Sequence, residues 1–215
     1  MEYSDSLIYI AEIIGTIAFA SSGALVAIRK NMDLLGVLVL GMTTALGGGL
    51  LRDLVLDIHP PRMFENPSYT VVAISTSLIL FIYIYFNRYV LYRNFINIYE
   101  KVMNFLDALG LGIFTVVGIN TALSVNMGDN RFLLVFVGMM TGVGGGLVRD
   151  ILAQEMPSIL VKQIYATASL IGAIIYVVLM PYLPAYILMA VCTAIIVAIR
   201  MLSVYFNWNL PKISE

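Results

Sequence analysis

Two stretches of this chain carry three consecutive glycines two residues ahead of an Arg-Asp pair: GGGLLRD at 47–53 and GGGLVRD at 144–150. Each lies inside a long apolar run. Three glycines in a helix give up about 1 kcal/mol each relative to alanine and uncover the backbone. Two uses fit. One is close helix packing through small residues, with Gly41, Thr44, Ala45 and Gly48 on the contact face. The other, the leading expectation, is a kink or break at Gly47, Gly48 and Gly49 and again at Gly144, Gly145 and Gly146. Non-helical backbone is tolerated at membrane depth only where protein or water satisfies it, so a break implies a polar cavity. Carbonyls freed just before each break belong to Thr43, Thr44, Ala45 and Thr141, and they could replace water around a cation. Transient K+ or Na+ sites are expected near Thr44 and Thr141. Amides just after each break favour an anion or a carboxylate. The same backbone therefore serves a cation path or an amino-acid site.

Charges accompany the glycines. Arg52, Asp53 and Asp57 fall toward one end of the second apolar run, and Arg149 and Asp150 toward the corresponding end of the fifth. Glu12 and Asp107 lie about one turn inside the first and fourth runs. A charge at mid-membrane costs roughly 2.5–3.5 kcal/mol on insertion scales, so partners are required. The expected pairs are Glu12 with Arg52 and Asp107 with Arg149, acting either in a pore or as ion pairs that fix helix register. Arg200, in the last run, reads as a snorkelling anchor.

Other chemistry is sparse. His59 stands alone in a loop with no Cys/His cluster for a metal. The GGGxxRD pattern lacks the Lys-Ser/Thr of a phosphate loop and the dinucleotide spacing. No nucleophile has a base beside it. An enzyme is not indicated and no cofactor is expected. Cys192, the one cysteine, reads as a small packing residue.

These residues need a scaffold, and composition supplies it. The chain has 215 residues, 60% hydrophobic and 12% charged, against about 25% charged for a soluble domain. Mean hydropathy is +0.94. The expected fold is an all-α polytopic membrane protein with spans at about 7–28, 34–57, 69–87, 102–124, 132–153, 160–180 and 184–206, each near the roughly 20 residues a crossing needs. Turn residues separate them, among them Asn31, Pro60-Pro61, Asn126 to Asn130, Pro157 and Pro181 to Pro184. The stretch from Asn87 to Lys101 is an interfacial helix or a linker. One side collects Arg29, Lys30, Arg88, Arg93, Lys101, Lys162 and Lys212, and the other only Arg62 and Arg131. This bias predicts the N-terminus outside and the C-terminus in the cytoplasm. Tyr83, Tyr85, Tyr89, Tyr92, Tyr205 and Trp208 form an aromatic belt on the inner side. The first apolar run follows the acidic MEYSDSL and reads as a retained helix. A net charge of −1 with no basic run excludes a nucleic-acid footprint.

The two motifs belong to a longer repeat. Upstream, EIIGTIAFASSG at 12–23 matches DALGLGIFTVVG at 107–118, pairing Glu12 with Asp107, Gly15 with Gly110, Phe19 with Phe114 and Gly23 with Gly118. Downstream, Pro60 matches Pro157. The organisation is a first three-helix repeat over 1–87, a linker over 88–101, a second over 102–180, and a seventh helix with the tail over 181–215. An odd number of spans per repeat makes the second enter from the opposite side, an inverted repeat of the kind common in transport proteins.

The doubled GGG-x-x-RD motif, the two three-helix repeats and the extra helix together resemble prokaryotic members of the trimeric intracellular cation channel family. The resemblance implies a homotrimer with an hourglass pore in each protomer, lined by the second and fifth helices and passing K+ and Na+. Gly47, Gly48, Gly49, Arg52 and Asp53, with Gly144, Gly145, Gly146, Arg149 and Asp150, would shape the pore and its gate. The implied setting is a prokaryotic cell membrane, with membrane lipids as partners. Prokaryotic relatives are also described as carriers of small solutes such as glycine. The leading expectation is a monovalent-cation channel, the alternative a carrier for a small zwitterion, and the third class a membrane scaffold.

Overall fold

The computed structural model describes residues 2–87, 95–161 and 164–208, and every regular element among them is helical. In chain order these are α1 (Glu2–Arg29), α2 (Leu34–Val55), α3 (Arg62–Glu65), α4 (Ser68–Phe86), α5 (Phe95–Ser124), α6 (Arg131–Leu152), α7 (Ser158–Val161), α8 (Ala166–Leu179) and α9 (Ala185–Tyr205). Among the described residues six helices are long and apolar enough to cross a membrane: α1, α2, α4, α5, α6 and α9. Apolar α8 is shorter.

Local chemistry sets the ends. The Asp33 side chain accepts from the Gly36 amide at 2.7 Å to start α2, and Asn130 does the same for Leu133 at 3.0 Å to start α6. Five helices stop on a polar residue with positive φ: Asn31, Asp57, Asn126, Gln154 and Asn207. Past each, an amide reaches back five residues to a carbonyl, as from Ile58 to Asp53 at 2.9 Å and from Glu155 to Asp150 at 2.8 Å. This is the Schellman closure.

The sixth predicted span, 160–180, is replaced by the four-residue α7 and the 14-residue α8. At 1.5 Å per residue α8 reaches only about 21 Å, short of the roughly 30 Å hydrocarbon thickness. α5 begins at Phe95, inside the 88–101 stretch expected to be an interfacial helix or a linker. Arg88, Tyr89, Tyr92, Arg93, Lys162 and Lys212 lie outside the described residues.

At the centre, α1 packs on α2 and α5 on α6, while α2 crosses α6 and α1 crosses α5. Of the expected kink or break, the break is overturned. Hydrogen-bonded helix runs without interruption through both glycine triplets, and no glycine among the described residues has a positive φ. The bare backbone is spent on close approach. A Cβ on Gly48 would lie 2.2 Å from the Thr141 carbonyl oxygen, and one on Gly145 would lie 2.2 Å from the Thr44 carbonyl oxygen. Pairs 48 with 141 and 145 with 44 run in opposite sense along the two helices, so α2 and α6 cross antiparallel. The outer crossing repeats the pattern: the Phe19 ring fills the notch of Gly110, and Phe114 that of Gly15. The two rings stack with centroids 5.3 Å apart.

Candidate functional site

The C-terminal turn of α2 delivers Arg52 and Asp53, and that of α6 delivers Arg149 and Asp150. All four are buried, as are Glu12 on α1 and Asp107 on α5. At the α2 end, Arg52 Nε donates to Asp53 Oδ1 at 2.8 Å, and its Nη1 lies 3.6 Å from Glu12 Oε1. The second Glu12 oxygen accepts from the Tyr69 hydroxyl at the start of α4. Asp53 Oδ2 accepts the Arg62 amide at 2.8 Å, which ties the first residue of α3 to α2.

The α6 end repeats this arrangement. Arg149 Nε donates to Asp150 Oδ1 at 2.9 Å, and Nη1 donates to Asp107 Oδ1 and to Ser22 Oγ, each at 2.5 Å. Asp150 Oδ2 accepts the Ser158 amide at 2.7 Å, tying down α7. The guanidiniums of Arg52 and Arg149 are thus each held between two carboxylates, which supply the partners that burial of a charge demands. A further ion pair, Lys30 Nζ to Glu155 Oε1 at 3.1 Å, joins the α1–α2 turn to the segment after α6.

A cavity of about 30 Å³ opens at the α2 end, lined by Glu12, Gly49, Arg52, Asp53, Tyr69 and Phe114 among others. It has room for about two waters, each needing roughly 10–15 Å³. Phe114, stacked on Phe19, forms part of its wall.

The remaining sequence candidates have other surroundings. Thr44 and Thr141 are buried and their hydroxyls donate to Leu40 and Val137 carbonyls at 2.6 Å, within their own helices. Thr43 donates to the Val39 carbonyl at 2.8 Å. Their carbonyls lie within helices that run on through the triplets. Gly47 approaches Val148, Gly144 approaches the Gly48 backbone, Gly49 borders the cavity, and Gly146 faces the Tyr165 hydroxyl. Arg200 is not a snorkelling anchor. It is buried, with its guanidinium carbon 4.7 Å from the centre of the Tyr165 ring, because α9 packs it against α5 and α8 rather than toward a headgroup layer. His59 Nε2 lies 2.9 Å from Asp57 Oδ1 in an exposed loop.

Sequence reasoning passed over Tyr69 and Tyr165. They stand 96 residues apart, the same offset as Arg62 and Ser158, the two amides bound by the aspartates. That spacing, one short of the glycine offset, was the available signal.

A family model described as glycine transporter matches this chain twice, over residues 9–85 and 104–181. The UPF0126 inner membrane protein YadS of Escherichia coli K12 is 42% identical over 170 residues, spanning 79% of this chain and 77% of that relative. Among solved structures, one of a TRIC cation channel studied for its conductance is 40% identical, with a TM-score of 0.81 over 96% of this chain and 97% of that one. A trimeric intracellular cation channel orthologue from Rhodobacter sphaeroides is 31% identical, with a TM-score of 0.82 over 94% of this chain and 100% of that one.

Proposed function

The chain belongs to the family of the glycine-transporter model and the prokaryotic TRIC channels, and from that premise we propose that it is a passive monovalent-cation channel, permeable to K+ and Na+, with a path inside each protomer along α2 and α6. Conduction of cations is a property of the related channels. The observation that carries the reading to this chain is the pair of buried clusters in which one guanidinium faces two carboxylates. An arginine in a cation path repels the permeant ion unless it is neutralised. Two acids facing each of these arginines offset its positive charge, so that it does not bar a cation.

In this reading the conformation described is closed. The Phe19–Phe114 stack and the Gly48–Thr141 and Gly145–Thr44 contacts fill the centre, and opening separates the α2–α6 crossing. The Arg-Asp pairs serve as latches: Asp53 and Asp150 couple each guanidinium to a short loop helix, so loop movement reaches the path. The architecture proposed is an inverted repeat of 1–87 and 102–180 with α9 added, assembled as a homotrimer, lying in a bacterial cell membrane with the N-terminus outside. The antiparallel α2–α6 crossing and the twofold family match support the inversion; the trimeric relative supports the assembly.

A second reading has one observation in its favour. The cavity at the α2 end presents both Arg52 and Glu12, a charge pair complementary to a zwitterion such as glycine. Flux from liposomes separates the two. Channel activity gives K+ efflux that grows with the gradient and ignores glycine, whereas a carrier gives saturable glycine uptake that D- and L-amino acids inhibit to different extents.

A further inference from the structure

Tyr69 and Tyr165 occupy equivalent places, each following a short loop helix tied to an aspartate, yet they are used differently. Tyr69 swings toward Glu12, its hydroxyl bonded to that carboxylate, and its ring lines the open cavity beside Gly49. The space above Gly49 is free: a Cβ there would meet nothing nearer than Arg52 Nη2 at 3.8 Å. At the other end, Tyr165 is buried and points its hydroxyl at Gly146, the counterpart of Gly49, where a Cβ would lie 2.6 Å from the oxygen. That hydroxyl has no hydrogen-bond partner among the described residues. Asp107, the counterpart of Glu12, is held by Arg149 instead.

Arg200 lies over the Tyr165 ring, and its Nε and Nη1 also lack hydrogen-bond partners among the described residues. Arg200 has no carboxylate partner among the described residues; a buried guanidinium so placed is expensive unless something compensates it, and the ring quadrupole is what this one meets. The Tyr165 ring, with Leu111, Val143 and Ile196, fills the region that corresponds to the cavity at the α2 end.

The geometry points to Tyr165 as the plug of the path at the α6 end, held shut by Arg200 and released when its hydroxyl turns to Asp107 as that of Tyr69 turns to Glu12. The two halves of the molecule then show the two positions of one device: withdrawn at Tyr69, inserted at Tyr165. An unpartnered buried hydroxyl raises the energy of the inserted position, so the ring contact with Arg200 decides the balance. Arg149 would be freed from Asp107 in the same movement. The inference rests on the channel reading for what is being closed, though not for the movement of the ring.

Accessibility tests it without current. In the full chain reconstituted in liposomes, with Cys192→Ala to remove the native thiol, Leu46→Cys, at a residue that lines the cavity at the α2 end, reports that cavity, and Val143→Cys reports the equivalent place beside Tyr165. A charged methanethiosulfonate should modify Leu46→Cys and leave Val143→Cys protected. Tyr165→Ala should expose Val143→Cys while Tyr69→Ala does not, and Tyr165→Phe, which keeps the ring, should retain protection. Arg200→Gln should accelerate modification about tenfold, the factor that loss of a desolvated cation–π contact can supply. Modification of Val143→Cys at the same rate with the ring present, absent or freed from Arg200 overturns the plug. If Tyr165→Ala does not fold, Arg200→Gln against Tyr165→Phe decides. Ring-dependent protection in a protein that passes no ions would keep the plug and defeat the channel reading; currents with no dependence on Tyr165 would do the reverse.

Discussion

Gly48 of α2 lies directly against the carbonyl oxygen of Thr141 on α6, and Gly145 of α6 against that of Thr44 on α2. This reciprocal contact brings the two longest glycine runs of the chain together and explains why the third glycine of each triplet is spared. The crossing uses the middle residue; Gly49 and Gly146 are left to face the two ends of the path.

Substitution should divide the triplet accordingly. Gly48→Ala and Gly145→Ala drive a methyl into backbone, which cannot rotate away, and each should destabilise by about 1–3 kcal/mol, the usual range for overpacking. Gly49→Ala meets open space and should be neutral or slightly stabilising, since alanine favours helix by up to about 1 kcal/mol. Thermal melting in detergent checks the order; equal melting temperatures for the 48 and 49 variants would mean that the helices are not in contact there.

The aspartates that bind both an arginine and a loop amide should be costly to remove. Asp53→Ala and Asp150→Ala each leave a guanidinium short of a partner, a loss of about 3–5 kcal/mol for a broken buried pair. Asn at either position keeps one acceptor oxygen and should fall between alanine and the parent protein. Denaturant midpoints in mild detergent give the ranking.

The tyrosines provide a sharper contrast. Tyr69→Phe removes a hydroxyl bonded to a carboxylate and should cost about 1.5–3 kcal/mol, the range for hydrogen bonds to charged groups. Tyr165→Phe removes a buried hydroxyl with no partner among the described residues and should leave stability unchanged or improved. A larger loss from Tyr165→Phe than from Tyr69→Phe would contradict the assigned geometry.

Emptying the centre should open a leak. Phe19→Ala and Phe114→Ala remove one half of the stacked pair, with an expected stability cost of about 3–5 kcal/mol. If those rings close the path, K+ leaks faster from liposomes holding either variant than from those holding the parent protein.

Much of this molecule can be read from its sequence, and the limits have a physical cause. Hydropathy locates the six long apolar helices because lipid demands long apolar runs. The turns at Asn31, Asn126 and Pro157 follow from local chemistry, which needs no partner elsewhere in the chain. Repeat spacing sets Glu12 opposite Arg52 and Asp107 opposite Arg149, and the structure holds those residues 3.6 Å and 2.5 Å apart. The glycine triplets were different. A triplet permits a break or a close crossing, and the choice depends on which helix lies across it, a fact that no local window contains. Arg200 and Tyr165 were hidden for the same reason, since a helix-end arginine looks alike whether it meets headgroups or a buried ring. The shortness of α8 was missed because its apolar composition continues past its ends.

Single-channel recording of the purified protein in planar bilayers under asymmetric KCl tests the central claim most directly, with the Arg52→Ala, Arg149→Ala double variant beside it. The account predicts unitary currents that reverse near the K+ equilibrium potential, and altered opening and closing in the variant. Electrical silence from folded protein that takes up glycine saturably in liposomes would contradict it and make this chain a carrier.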